Sequence, residues 1–339
     1  MGFSSQAGQI IVRSQAVADV PEADLETAGV GVKLRSGSLA VNRDLLTTDP
    51  EIGGGRDTTD AYMGPAIFSG DYEMYPRFNS LPTFLRAGLG NATPGTLTAG
   101  VAEHTFTPLD SGTLPFLTIQ EEIGGSTSAM ERFLFHDAVC NTLHFEADAG
   151  GFLQATAGMI ARKMTAGVPT IDAASIFDNT SLVVGTNVAI TYNGVTLPAK
   201  DFAWDLTNNF EDDDFRLGSL VAGDLTAKAR ELTGSFTIRH ANSALWRQAT
   251  FGTAAATQIG GLATKQALVI TCDTYEFIGA TSTVHRLELT MPKVILNPFG
   301  LEPSGDDILE NSIDWTAVRP DPATPLTTVK VKNGLATIA

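Results

Sequence analysis

The sharpest cluster of reactive side chains in this sequence is the run Glu211-Asp212-Asp213-Asp214. Gathered carboxylates are what a hard cation such as Ca²⁺ coordinates. The run lacks the Asp-x-Asp-x-Asp-Gly spacing and the closing Glu of a calcium loop, so a solvated acidic loop, or one that meets a basic patch on a neighbour, is expected instead. The histidines are His104, His136, His144, His240 and His285. His136 and His144 lie too far apart in sequence for a metal pair, and His144 should point outward from a strand beside Glu146, at a solvated or interface position. Asp71, Glu73, Glu121 and Glu122 could supply an acid–base pair, yet no nucleophile pattern accompanies them and they read as the outer face of strands. Cys140 and Cys272 sit in apolar alternating runs, as small buried hydrophobes do; two cysteines are no disulfide framework. Gly53-Gly54-Gly55 lacks the preceding strand and following helix of a dinucleotide fingerprint. No phosphate loop, nucleophile elbow, Cys-x2-Cys or His-Glu-x2-His pattern occurs. The expectation is a chain without catalytic, cofactor or metal residues.

Bulk properties narrow the class further. A length of 339 residues implies about two domains. The net charge of −16 argues against gripping nucleic acid, because phosphate binding rests on Lys and Arg displacing counterions. Charged residues make up only 18%, which suits a surface largely covered by neighbours. No run reaches the roughly 18 apolar residues of a membrane span. The start of the chain lacks the charged-then-apolar pattern of a signal peptide, so synthesis in a reducing cytoplasm is expected.

The elements that must position any site come in two sets. Ser69-Gly70-Asp71-Tyr72-Glu73-Met74-Tyr75 leads to Asn79-Ser80 and a helical stretch closing at Gly90; Thr233-Gly234-Ser235-Phe236-Thr237-Ile238-Arg239 leads to Asn242-Ser243 and a helical stretch closing at Gly252. The paired glycines Gly70 and Gly234 are 164 residues apart, near half the chain. Ser80 with Pro82, and Asn242 or Ser243, supply helix starts. Alternating runs predict further strands: Leu114–Gln120 corresponds to Ala267–Asp273, Thr142–Ala147 to His285–Met291, and Gly151–Met159 to Ile308–Val318. Leu143, Phe145 and Ala147 should face inward, as should Leu153, Ala155, Ala157 and Met159, with Trp246 and Trp315 at core-like positions. Short strands with regular turn signals predict a mainly β fold: two tandem β-sandwich or barrel domains, each with one flanking helix. We place an N-terminal arm at 1–28, the first copy at 29–168, the second at 169–319 with the boundary about 165–195, and a C-terminal arm at 320–339.

Each copy holds a strand, a long loop and a strand. The first loop spans Thr47 to Gly64 and carries Asp49, Gly53, Gly54, Gly55 and Asp57. The second spans Glu211 to Asp224 and carries Asp212, Asp213, Asp214 and Arg216. Long structureless loops in a compact domain are usually functional or interfacial, so these residues are candidate contacts between assembled copies.

The ordered set of these pieces resembles the tail tube proteins of bacteriophages with long, non-contractile tails. It comprises Phe106-Thr107-Pro108 with Leu114–Ile119, then Phe135–Leu143 containing Asn141, then Glu146–Gly151, and Leu287–Val294 in the second half. The resemblance covers about residues 30–320. It implies a structural virion protein whose rings stack into a tube that conducts DNA, with tail terminator, tape measure and baseplate proteins as partners. A duplicated chain implies homotrimeric rings with pseudo-sixfold symmetry. The thinner alternatives are another virion piece on a related fold (tail terminator, baseplate hub or head decoration) and a β-sandwich carbohydrate binder. The resemblance also implies a place in the phage tail, after synthesis in the host bacterial cytoplasm.

Overall fold

A computed structural model describes residues 8–58, 60–110, 113–124, 131–168, 177–240, 242–301 and 309–338. Residues 1–7 of the expected N-terminal arm and 169–176 of the expected boundary lie outside this set, as do 302–308. With 54% strand against 7% helix, the chain is mainly β, in keeping with a sandwich or barrel-like fold.

The first half runs β1 (Gln9–Ser14), α1 (Leu25–Ala28), β2 (Val30–Val32), β3 (Leu34–Ser36), β4 (Ala40–Thr47), β5 (Ala61–Met74), α2 (Leu81–Leu89), β6 (Gly90–Thr93), β7 (Ala102–Pro108), β8 (Leu117–Ile123), β9 (Glu131–Asp148) and β10 (Gln154–Ala166). The second half runs β11 (Val183–Tyr192), β12 (Val195–Leu197), β13 (Ala199–Thr207), β14 (Phe210–Glu211), β15 (Thr226–Ala227), β16 (Glu231–Arg239), α3 (Ala244–Phe251), β17 (Gln266–Phe277), β18 (Val284–Leu296), β19 (Glu310–Ala317) and β20 (Thr328–Asn333). Side-chain alternation sets the faces. In β13, Phe202, Trp204 and Leu206 are buried while their neighbours are not, and the inward sets expected in β9 and β10 are all buried.

The pairing order shows the duplication directly. Neighbours in the first half run β4-β5-β10-β9-β8-β1-β2. Neighbours in the second run β13-β16-β19-β18-β17-β11-β12. Every step is antiparallel, and the matched strands occur in the same chain order. Among the named strands, two pairings join the halves. β13 pairs with β9, and β20 is inserted between β18 and β7, so 18 strands form one continuous sheet.

Four expectations change. The segment read as an N-terminal arm contains β1, whose Ile11 and Val12 are fully buried between β2 and β8; it is the first-half counterpart of β11. The C-terminal segment read as an arm contains β20, with Val329 and Val331 fully buried. Both were short apolar patches whose partners lie far away in sequence, so no local signal separated strand from arm. Trp246 is half-exposed rather than core. Glu121 and Glu122 are buried: Glu121 accepts hydrogen bonds from the Tyr72 hydroxyl at 2.6 Å and the Leu39 amide at 2.9 Å. Burial pushes the Glu121 carboxyl up and the Tyr72 hydroxyl well up.

The register also corrects one correspondence. Gly70 pairs with Met159, and Met159 with Cys140; Gly234 pairs with Trp315, and Trp315 with Leu296. Leu296 is therefore the counterpart of Cys140, and Asn297 that of Asn141. Thr142–Ala147 corresponds to the stretch after Asn297, not to His285–Met291. The shared glycine has one cause in both halves. A Cβ on Gly70 would stand 2.1 Å from the Ser38 carbonyl oxygen, and one on Gly234 2.2 Å from that of Ala203, backbone atoms at matching places on the adjacent strand. On Gly234 it would also meet the Trp315 ring at 2.4 Å. Gly234→Ala should therefore destabilise the chain by about 1–3 kcal/mol, the range of core overpacking, measured by denaturant unfolding; an unchanged midpoint would contradict this packing.

Candidate functional site

The expected contact residues fall on two loops with different fates. Thr47 ends β4, and Asp49, Gly53, Gly54, Gly55 and Asp57 follow on an exposed loop. Gly53 and Gly55 have φ of +96° and +98° with nothing within 4 Å of a Cβ, so here glycine serves the turn, not a close approach. Ile52 at the tip is fully exposed. The second loop is folded back on its own chain. Phe210, Ala222 and Leu225 are buried in one cluster with Ile67, Val139 and Ile160 of the first half. The Ala66 amide donates to the Leu220 carbonyl at 2.9 Å, and Arg162 Nε to that of Ala222 at 3.3 Å. Arg216 bridges Asp214 at 2.6 Å and Asp224 at 2.9 Å, and this guanidinium holds the Asp214 carboxyl below its usual range. Glu211 pairs with Lys228 at 3.5 Å, while Asp212 and Asp213 are exposed. The structure thus brings Asp214 and Arg216 together and leaves the first-loop residues apart from them. Among the described residues no three His, Cys, Asp or Glu side chains gather as a metal site, and no helix is long and apolar enough to cross a membrane.

The more highly organised surface is the joint between the halves. Residues Asp201–Thr207 of β13 pair with Asp148–Thr142 of β9, which buries Phe202, Trp204 and Leu206 against Phe145 and Leu143. Beyond the strand, Asn208 Nδ2 donates to the carbonyls of Gly88 and Cys140 at 2.9 and 3.0 Å. The Phe210 amide donates to Asn141 Oδ1 at 2.9 Å. Helix α2 packs on β9, β7, β6 and β1, and eight of its nine residues are buried. Its start is held by Asp178, whose carboxylate accepts the Asn79 and Ser80 amides at 2.8 Å each, as anions favour helix N-termini; Ser80 itself makes no side-chain cap. Helix α3 differs. None of its residues is buried, and beside its start lies an apolar cleft of about 380 Å³ lined by Tyr192, Leu197, Ile238, His240, Leu245 and Gln248. Sequence reading missed Asn141, Asn208 and Asp178 as joint residues. The only available signal was the repeated asparagine at 141 and 297.

One ion pair belongs to this joint. His144 sits directly across from Asp205, Nδ1 to Oδ1 at 2.5 Å, with Glu146 at 3.4 Å from Nε2. The hydrogen bond to Asp205 raises the His144 pKa above its usual 6.5.

Strand addition, packed loops and ion pairs join protein surfaces; they set up no nucleophile with a base and an orienting partner. The class defined is a mainly β structural protein. A family model described as phage tail tube protein matches residues 14–317, and the chain belongs to that family. It is a structural tail tube protein, hence a virion component. No curated protein matches the chain at a significant level.

Because the folded-state value of His144 lies above that of the unfolded chain, its stabilisation is fully present below about pH 6.5 and is lost as pH rises through the raised value. With Asp205 42% exposed, screening limits this to about 0.5–1 kcal/mol. His144→Gln should therefore narrow the stability gap between about pH 6 and pH 8.5, read by thermal unfolding; an identical pH dependence in wild type and variant would refute the assignment.

Proposed function

We propose that the chain polymerises into stacked rings that form the tube of a long, non-contractile phage tail, through which DNA passes into the host. The observation that carries this is the sevenfold match of strand order between the halves, within a chain of the tail tube family. Two like domains per chain make three chains per ring the natural closure, with pseudo-sixfold symmetry, since head-to-tail interfaces generate closed rings. The copies are not identical, so strict sixfold symmetry is unavailable. We take the domain copies as about 9–168 and 177–319, with β20 as the clasp that holds them together.

Ring-to-ring contacts fall to the loops. Thr47, Asp49, Gly53, Gly54, Gly55 and Asp57 surround the exposed Ile52, and Glu211, Asp212, Asp213, Asp214 and Arg216 flank Leu217, which is also fully exposed. Apolar tips on otherwise polar loops suit burial on stacking. The net charge of −16 favours a wall along which a polyanion slides without adhering. Tail terminator, tape measure and baseplate proteins are the fitting partners, and synthesis in the host cytoplasm precedes assembly. The role is structural, not enzymatic.

Electron microscopy of the purified chain should show rings or tubes with three chains per ring. Monomers that persist at high concentration would overturn the tube reading, and six chains per ring would overturn the threefold one.

A further inference from the structure

The joint inside the chain is a template for the joint between chains. The counterparts of its two faces, one in each half, have no strand partner on that side among the described residues. The counterpart of β13 is β3 with the start of β4. Leu34 and Ser36 pair with Met74 and Glu73 as Ala199 and Asp201 pair with Ile238 and Thr237. Ser36–Asn42 therefore matches Asp201–Thr207, and Val41 and Leu45 take the places of Leu206 and Phe210. Leu206 and Phe210 are 1% and 7% exposed, whereas Val41 and Leu45 are 57% and 59% exposed. All eight residues of β4 are exposed, and Leu46, Tyr62 and Met63 extend the apolar edge. An exposed apolar edge strand is a template for pairing with another chain.

The counterpart of the β9 face is the stretch after Leu296. Asn297 stands where Asn141 does, so Pro298, Phe299, Gly300 and Leu301 stand where Thr142, Leu143, His144 and Phe145 do. Asn297 is exposed, whereas Asn141 accepts the Phe210 amide; Phe299 is half-buried and stacks on His240, and the Gly300 carbonyl accepts from the Asn311 side chain at 3.1 Å. Helix α3, which packs on β18, is less buried than α2.

We propose that the β3–β4 edge of one copy adds antiparallel to Pro298–Leu301 of a second copy of this chain, repeating between chains what β13 does to β9 within one. This inference rests on the ring reading above and names the surfaces that close the ring. The occupant is a second copy because each unpaired face matches the other in the same way that the two hidden faces match. The two faces differ and lie in different halves, so the contact is head-to-tail. The interchain joint also lacks the ion pair: Ala40 and Gly300 occupy the places of Asp205 and His144. The pH-sensitive contact is thus confined to the joint inside the chain.

The test is oxidative cross-linking of assembled full-length chain carrying Ala40→Cys and Gly300→Cys, the counterparts of the directly paired Asp205 and His144. Cys140 and Cys272 are fully buried and stay silent. The double variant should give a ladder of linked chains and each single variant none. Leu45→Asp, at an exposed residue, should keep the wild-type unfolding midpoint and raise the concentration needed for assembly by about tenfold or more. Assembled double variant without cross-links, or Leu45→Asp assembling like wild type, would overturn the proposed joint while leaving the ring reading standing. A wild-type chain that never assembles would overturn the ring reading instead.

Discussion

A sheet has edges, and an uncovered edge must find a partner. The addition of β13 to β9 meets this requirement once inside the chain, and much of the molecule is arranged around it. It buries Phe202, Trp204 and Leu206 and places the Asn208 side chain on the carbonyls of Gly88 and Cys140. A buried carbonyl left unpaired costs about 1–3 kcal/mol, so Asn208, which serves one on α2 and one on β9, is as much part of the joint as the strand itself. The clasp formed by β20 adds a second tie. Asn333, fully buried, meets His104 Nε2 at 3.0 Å and donates to the Phe78 carbonyl at 2.7 Å, which joins the C-terminal strand to the first half by hydrogen bonds as well as by apolar contact.

The two halves keep the same frame but differ where they are covered. Gly70 and Gly234 persist because the same carbonyl approaches each of them. Around that constant point the surroundings diverge. The first half has the exposed glycine loop and the buried α2, and the second has the folded acidic loop and the half-exposed α3. Asp214 shows how a charged run becomes structure: its ion pair with Arg216 folds the loop, and the hydrophobes Phe210, Ala222 and Leu225 seat it on the first half. The proposed ring would alternate two kinds of joint, one fixed by covalent connection and one formed on assembly.

Local patterns carried most of the elements. Alternation marked β5, β10, β13, β16 and β17, and Gly90 and Gly252, both with positive φ, ended the helices where expected. What failed was long-range. Ile10-Ile11-Val12 and Val329-Lys330-Val331 are too short to announce which strands they join, and both are interior strands. Glu121 looked like an outer-face carboxylate because its partners, Tyr72 and Leu39, come from distant strands. His144 could be placed at an interface from its alternation, but its partner Asp205 lies 61 residues away.

By itself, then, the sequence determined that the chain is mainly β, that it is written twice, that it carries no familiar catalytic pattern, and that its family is that of tail tube proteins. These follow from periodicity, composition and ordered motifs, which are local properties of the chain. Only the tertiary structure decided which edges are paired and which are bare, because hydrogen-bonding partners across a sheet are chosen by register and burial over the whole fold. That choice turned two similar halves into a chain with one joint made and a matching pair of edges left unpaired among the described residues.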